Sequence, residues 1–144
     1  MTSAVPQGLD KDLNWLLRTL IERVPHTKSA VLLSSDGLTT AAHGLDHDSA
    51  DRLAALASGL FSLARSAGVQ FGGSGGVRQV VAELDDALLF VSSAGFGSVL
   101  TVVAGRAADA GVLGYEMAQF VTSVRPFLVT PARHAGTSSG DLSG

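Results

Sequence analysis

The sequence contains no cysteine, and charged residues make up only 16% of the chain. The absence of thiols excludes a disulfide scaffold, thiolate zinc sites and thiol nucleophiles. The small charged fraction accompanies 46% apolar residues, whereas disorder of a whole chain requires low hydrophobicity and high charge. We therefore expect the 144 residues to form one domain, part of whose apolar surface is covered by another molecule.

Positive charge is scarce as well. The chain has 10 Lys and Arg against 13 Asp and Glu, and no basic run. A net charge of −3 provides no electrostatic reason to bind nucleic acid or an anionic membrane. The first residues lack the cationic start and the apolar stretch of a signal peptide, so we expect a cytoplasmic protein.

The longest run without charge, residues 87–105, is long enough to suggest a membrane span. Serine and glycine interrupt it at 92–98, between two stretches rich in Val, Leu and Phe. This pattern predicts a β-hairpin and no transmembrane segment.

Hydrophobic periodicity predicts three helices. The first covers 9–24 and ends at Pro25, and the third covers 109–125 and ends at Pro126. The second begins after a cluster of Asp residues at 46–51 and ends at Gly68 and the glycine-rich segment 72–76.

Five strands are predicted between these helices. Segments 29–35 and 38–43 flank Asp36-Gly37, a dipeptide typical of a type I′ hairpin turn, and 77–84 alternates. Strands 87–93 and 98–104 are apolar on both faces, so they should lie centrally in a sheet that is covered on both sides. The order α-β-β-α-β-β-β-α predicts an α/β (α+β) fold with an antiparallel sheet. We expect a flexible N-terminus at 1–8, a domain at 9–128 and a disordered tail at 129–144.

Two glycine-rich segments resemble catalytic or nucleotide-binding motifs. Gly72-Gly73-Ser74-Gly75-Gly76 matches G-x-S-x-G, but it leads from a helix to a strand, the reverse of a nucleophile elbow. Gly95-Phe96-Gly97 lacks the third glycine and the following helix of a dinucleotide fingerprint. We therefore predict a connector, no catalytic residue and no cofactor.

His43 and His47 are four residues apart and lie among aspartates. Two histidines at this spacing share a face only on a helix, and Gly44 lies between them at a strand-to-helix junction. Helix capping is therefore favoured over a metal site. Trp15 lies off the leucine stripe of the first helix and is either a packing residue or a contact site.

The second helix carries leucines at alternating steps of three and four: Leu53, Leu56, Leu60 and Leu63. These leucines either belong to the core or form part of a helix–helix interface. The alanines around them, Ala54, Ala55, Ala57 and Ala64, favour the interface because they permit close approach of another helix.

The order of the elements and six local strings resemble the Roadblock/dynein light chain family. The strings are residues 9–24, Ala30–Leu38, Ala54–Gly59, Gln79–Glu83, Gly97–Val103 and Leu113–Met117. They are most similar to the actinobacterial branch, which is encoded beside a sensor-kinase-like protein and a Ras-like GTPase.

This resemblance implies a profilin-like fold, in which a five-stranded antiparallel sheet lies between one helix and two helices. It also implies a homodimer, in which the middle helices pack together and the third strands pair edge to edge. The matching interface residues are Leu53, Leu56, Leu60, Leu63, Val77, Gln79 and Val81. Bacterial members regulate Ras-like GTPases, but nothing in the sequence assigns Arg52, Arg65 or Arg78 as an arginine finger.

The leading hypothesis is thus a non-enzymatic, homodimeric regulator or adaptor of a Ras-like small GTPase in a bacterial signalling complex. Its partners would be a second copy, the GTPase and a sensor-kinase-like protein, with recruitment to the membrane through them. The alternative is a small-molecule sensory module with a profilin-like fold. That function requires an apolar pocket with convergent polar groups.

Overall fold

The structure is a computed structural model that describes residues 7–136 of the chain, with side chains for residues 12–128. Its three helices are α1 (Gln7–Arg23), α2 (His47–Phe71) and α3 (Ala110–Gly136). Its five strands are β1 (Thr27–Ser34), β2 (Thr39–His43), β3 (Gln79–Glu83), β4 (Ala87–Gly95) and β5 (Ser98–Gly105). The predicted order of elements is confirmed.

The five strands form one antiparallel sheet in the order β2-β1-β5-β4-β3. The uncharged strands β4 and β5 pair with each other inside the sheet, as their two apolar faces predict. Thr101 of β5 is fully buried, and its Oγ1 donates a hydrogen bond of 3.0 Å to the carbonyl of Phe90 in β4. The buried hydroxyl is therefore satisfied within the sheet.

The helices cover the two faces of the sheet unequally. One face is covered by α1 and α3, and the other by α2 alone, which confirms the predicted arrangement of one helix and two helices. The first core contains buried residues of α1, α3 and the strands beneath them, among them Leu13, Leu17, Leu32, Phe90, Leu100, Leu113, Met117 and Val124. The second core is smaller.

This second core shows how α2 is oriented. Ala50, Ala54 and Ala57 are buried against the sheet, where Val31 and Val91 lie. Two of the alanines around the leucines thus face the protein's own sheet and let α2 lie close to it. The leucines are left for the flanks and the outer face of the helix.

The start of α2 confirms the capping prediction. Asp46 is the N-cap, and its Oδ1 accepts a hydrogen bond of 2.7 Å from the backbone N–H of Ser49. That hydrogen bond is the main reason why the pKa of Asp46 lies below its ordinary value. The cap is therefore strongest above the ordinary pKa and is lost as the pH falls through the lowered one.

Helix α2 passes Gly68 by three residues and ends at Phe71, where Gly72 is the C-cap, so the predicted end at the glycine-rich segment is confirmed. This segment folds back onto the helix, and the Gly75 Cα lies 3.1 Å from where a Cβ of Gly68 would stand. The predicted end of α3 is wrong. Helix α3 continues past Pro126 to Gly136. Beyond the proline, Phe127 and Leu128 pack against the α1–α3 core, and this burial favours continuation of the helix.

The predicted terminal segments are described only in part. Residues 7–8 belong to α1 and residues 129–136 to α3, so the helices reach further than the predicted domain bounds. Residues 1–6 and 137–144 lie outside the described residues, and the flexibility and disorder predicted for them stay predictions.

The β1–β2 hairpin is confirmed, but its predicted turn type is wrong. Gly37 has φ +92°, whereas Asp36 is not among the residues with positive φ. The N–H of Gly37 bonds the Ser34 carbonyl at 2.9 Å, and the N–H of Ser34 bonds the Leu38 carbonyl at 2.9 Å. These two bonds define a three-residue loop that ends on a left-handed glycine, which needs only one positive φ.

Two consecutive positive φ angles occur instead in the β4–β5 turn. Gly95 pairs with Ser98, which leaves Phe96 (φ +54°) and Gly97 (φ +73°) as a two-residue turn. A bulky residue rarely adopts positive φ, because its Cβ crowds the following carbonyl. The Phe96 side chain is 61% exposed, so little packing offsets this strain.

We predict that Phe96→Asn stabilises the free protein. Asparagine tolerates the left-handed conformation, so the substitution should raise the free energy of unfolding by about 1 kcal/mol. Urea unfolding followed by circular dichroism measures this difference. An equal or lower stability of the variant would mean that the contacts of the phenyl ring outweigh the backbone strain.

Candidate dimerisation surface

The four predicted leucines of α2 separate into two pairs. Leu53 and Leu60 are half-buried and pack against the core between α2 and the sheet. Leu56 and Leu63 point outward and are 62% and 71% exposed. The core hypothesis therefore describes Leu53 and Leu60, and the interface hypothesis describes Leu56 and Leu63. The two outward leucines are seven residues apart, so they lie on one face of the helix.

Gly59 lies between the outward leucines, three residues after Leu56 and four before Leu63. It is exposed, and a Cβ built on it would meet no atom within 4 Å. An exposed glycine inside a helix costs about 1 kcal/mol relative to alanine. Nothing within the described chain requires this glycine. A closely approaching second helix would require it.

The two edges of the sheet differ in how they are covered. At the β2 edge, the side-chain oxygen of Asn14 in α1 accepts a hydrogen bond of 3.3 Å from the backbone N–H of Ala42. At the other edge, β3 pairs with β4 on one side, and no strand of the described chain pairs with its other side. An unpaired edge strand is a template for pairing with another chain.

The predicted β3 residues contribute differently from the leucines. Val81 lies opposite Phe90 in the register and Gln79 opposite Ser92, so both face the α1–α3 side of the sheet. Val81 is 52% exposed, Gln79 is exposed and Val77 is half-buried. Because Gln79 and Val81 point away from the α2 side, β3 offers a second copy mainly its backbone edge.

Exposed apolar side chains concentrate in this part of the chain. Eleven large apolar residues are exposed among the described residues, and six of them lie within 56–84. These six are Leu56, Leu63, Val69, Phe71, Val81 and Leu84. Such a concentration is typical of a surface that another molecule covers. We call Leu56, Gly59, Leu63 and the β3 edge the α2–β3 surface.

The remaining candidate residues form no additional site. Ser74 is exposed in the loop that follows α2, as the sequence predicted. The Nε2 of His47 lies 3.5 Å from the Oδ2 of Asp51 in the first turn of α2, and both side chains are exposed. Within residues 7–136, no group of three or more His, Asp or Glu side chains is placed to hold a metal ion. None of the described helices is long and apolar enough to cross a membrane.

Trp15 is 55% exposed and lines a shallow groove between α1 and α3. Glu116 and Phe120 lie in the same groove, and Glu116 forms an ion pair with Arg23 at 3.5 Å. Both of the roles predicted for Trp15 thus remain: the indole packs partly on the helices and partly faces outward.

Sequence reasoning missed two residues. Gly59 is an isolated glycine inside a strong helical pattern, and such a glycine indicates a packing or functional role. Ser92 is 8% exposed, and its Oγ has no hydrogen-bond partner among the described residues. No pattern in the sequence distinguishes Ser92 from Ser93, because only the strand register places one of them over the first core.

The fold, the unpaired edge and the exposed helix together define a small α+β domain of the profilin-like class, with a surface suited to association. Comparison with known families agrees with this class. The Roadblock/LC7 domain model matches residues 13–104. The chain therefore belongs to the Roadblock/LC7 family, which confirms the resemblance in the sequence.

Solved structures support the assignment. A Roadblock/LC7 domain from Streptomyces avermitilis is 68% identical, with a TM-score of 0.78, over 81% of this chain and 97% of that one. A second domain from that organism is 38% identical, with a TM-score of 0.63, over 77% and 96% of the two chains. The gliding protein MglB from Thermus thermophilus shares the fold, at 16% identity and a TM-score of 0.75, over 93% and 99%. No curated protein matches the chain.

Proposed function

We propose that this Roadblock protein is a homodimeric, non-enzymatic regulator or adaptor of a Ras-like small GTPase in the bacterial cytoplasm. The observation that carries the proposal is the unpaired β3 edge beside the outward leucines of α2 in a Roadblock/LC7 domain. The dimer and the GTPase are two separate steps of the proposal, and each has its own test.

We propose a dimer because a second copy would cover the unpaired β3 edge and the exposed leucines of α2. Pairing of two β3 edges would satisfy the open backbone groups and extend the sheet across both chains. Packing of two α2 helices would bury Leu56 and Leu63 of each copy and use the small residue Gly59 between them. Both contacts are self-complementary, as a two-fold dimer requires.

The proposal of a GTPase partner rests on the family and on the two filled cores of the domain. Bacterial Roadblock proteins resembling this one regulate Ras-like GTPases. Within the described chain, two helices pack one face of the sheet and one helix the other, so both cores are filled by side chains. This packing favours a regulator over a receptor that encloses its ligand, the alternative function.

A regulator of this kind acts through its surface. The paired α2 helices would form a rigid platform on which the switch loops of the GTPase rest. Such a platform changes the state of the GTPase only if it binds one nucleotide state more tightly than the other. We further propose that a sensor-kinase-like protein, of the kind encoded beside the Roadblock proteins that this chain resembles, is a partner of the same complex.

We predict that Leu63→Glu converts a dimer into a monomer. Leu63 is exposed in the single chain, so the charge should leave the fold intact but repel its counterpart across the α2 contact. Sedimentation velocity at micromolar concentration should show the mass fall from twice 14.7 kDa to once that value.

Val112→Glu is the matched control, since Val112 is another exposed aliphatic residue on a helix, but on the opposite face of the sheet.

Gly59→Ala is a second variant, and its expected effect has opposite signs in a monomer and in the proposed dimer. On a solvent-facing helix it would stabilise by about 1 kcal/mol. At a close helix crossing it should weaken the dimer. A monomeric wild type, or a dimer that neither variant affects, would contradict the proposed interface.

We predict that the protein captures the neighbouring Ras-like GTPase in a nucleotide-dependent manner. The experiment compares pull-down of the GTPase loaded with GDP or with a non-hydrolysable GTP analogue, together with its rate of GTP hydrolysis. Binding to one state, lost in Leu63→Glu and retained in Val112→Glu, is expected because the platform needs both α2 helices. Absence of binding to either state would refute this part of the proposal.

A further inference from the structure

A groove runs between the outer strands of the sheet and α3, on the side away from α2. Its volume is about 550 Å³, within the range of pockets that take small molecules. It exists because α3 packs over β4 but leaves β3 uncovered. Gly114 and Ala118, one turn apart on α3, line it with little side-chain volume. The groove is formed within a single chain, so the inference drawn from it does not depend on the dimer.

The walls of the groove carry positive charge and no negative charge. Arg78, just before β3, and Arg125, in α3, both line it, and none of its lining residues is Asp or Glu. Two other arginines of the described chain are paired: Arg23 with Glu116 and Arg106 with Glu83, each at 3.5 Å. Arg78 and Arg125 have no hydrogen-bond or ion-pair partner among the described residues. Guanidinium groups bind carboxylate and phosphate with matching geometry.

Ser92 supplies a second, independent observation. It lines the same groove from β4 and is more than nine-tenths buried, yet its Oγ has no hydrogen-bond partner in the part of the chain that the structure describes. A buried hydroxyl without a partner costs about 1–3 kcal/mol and calls for an explanation. The other polar hydroxyl buried in these central strands, that of Thr101, is bonded to a carbonyl.

The remaining lining residues are compatible with an apolar ligand body. The half-buried Val121 forms an apolar wall, and Met117, one turn before it on α3, is fully buried and forms an apolar floor that belongs to the first core. The groove thus combines an apolar wall, two free cations and one unsatisfied hydroxyl.

We propose that this groove binds a small organic anion, whose carboxylate or phosphate is held by Arg78 and Arg125 and whose apolar body lies on Met117 and Val121. The Ser92 hydroxyl donates a hydrogen bond to the bound ligand. The groove and the α2–β3 surface lie on opposite sides of the sheet and share the edge strand β3. A bound anion would therefore contact the strand that the proposed dimer pairs.

The test uses the full-length protein labelled with ¹⁵N and two anionic probes, 4-phenylbutyrate and phenyl phosphate. Inorganic phosphate serves as an anion without an apolar body, and 4-phenylbutyramide as a neutral analogue. Saturable amide shifts at β3, β4 and the first half of α3 are expected. The two anions distinguish carboxylate from phosphate recognition, and both should bind at least about tenfold more tightly than the amide, because hydrogen bonds to charged groups are the stronger ones.

The variants connect binding to the named residues. Arg125→Gln should weaken binding about tenfold, whereas Arg18→Gln, an exposed arginine of α1 outside the groove, should leave it unchanged. Ala118→Trp should block the groove from an exposed position. Ser92→Ala should weaken binding and raise the melting temperature of the free protein, since it removes an unsatisfied buried group.

Three results would overturn the inference. The first is equal binding of the neutral amide, and the second is unchanged affinity in Arg125→Gln. In the third, Arg78→Gln and Arg125→Gln alter only self-association, which would assign the groove to an interface between copies.

Discussion

A sheet whose central strands are apolar on both faces must be covered on both sides, and the whole domain is arranged around this constraint. Strands β4 and β5 carry no charged residue. Burial of their side chains contributes about 25 cal/mol for each Å² of apolar surface removed from water. Two helices cover one face, and α2 covers the other through Ala50, Ala54 and Ala57. Strand β3 is the last strand of the sheet, and its outer edge pairs with no strand of the described chain.

The low charge of the chain is a consequence of the same constraint. Apolar residues fill both cores, and part of the excess stands exposed on α2 and near β3. Alanines toward the sheet with Leu56 and Leu63 outward is the reverse of what a helix with a single buried face would carry. This reversal makes the outer face of α2 a contact surface of its own. A second copy is the simplest partner, since it would present the same helix and the same strand edge.

Much of the fold could be predicted from the sequence, because the periodicity of apolar residues is strong. The three helices, the five strands and the central place of β4 and β5 follow from it. The end of α3 could not be predicted, since burial of Phe127 and Leu128 outweighs the local signal of Pro126. Turn type also depends on tertiary context: Asp36-Gly37 adopts the three-residue loop, and the rarer Phe96-Gly97 adopts the two-residue turn.

The surfaces were predicted less completely than the fold. Spacing identified the leucines but could not distinguish the inward pair, Leu53 and Leu60, from the outward pair, because both lie within a turn of the alanine face. The groove beside α3 could not be predicted at all. It depends on the strand register that sets Ser92 opposite Gln79, and on Arg78 and Arg125, which are 47 positions apart in the chain.

The central claim is that a second copy pairs with the β3 edge, and amide hydrogen exchange tests it directly. The measurement follows the amides of residues 79–83 that do not bond β4, at protein concentrations below and above the dimer dissociation constant. The account predicts fast exchange in the dilute protein and protection that rises as the dimer forms, because pairing places these amides in hydrogen bonds. Fast exchange of the same amides in a fully dimeric sample would contradict it.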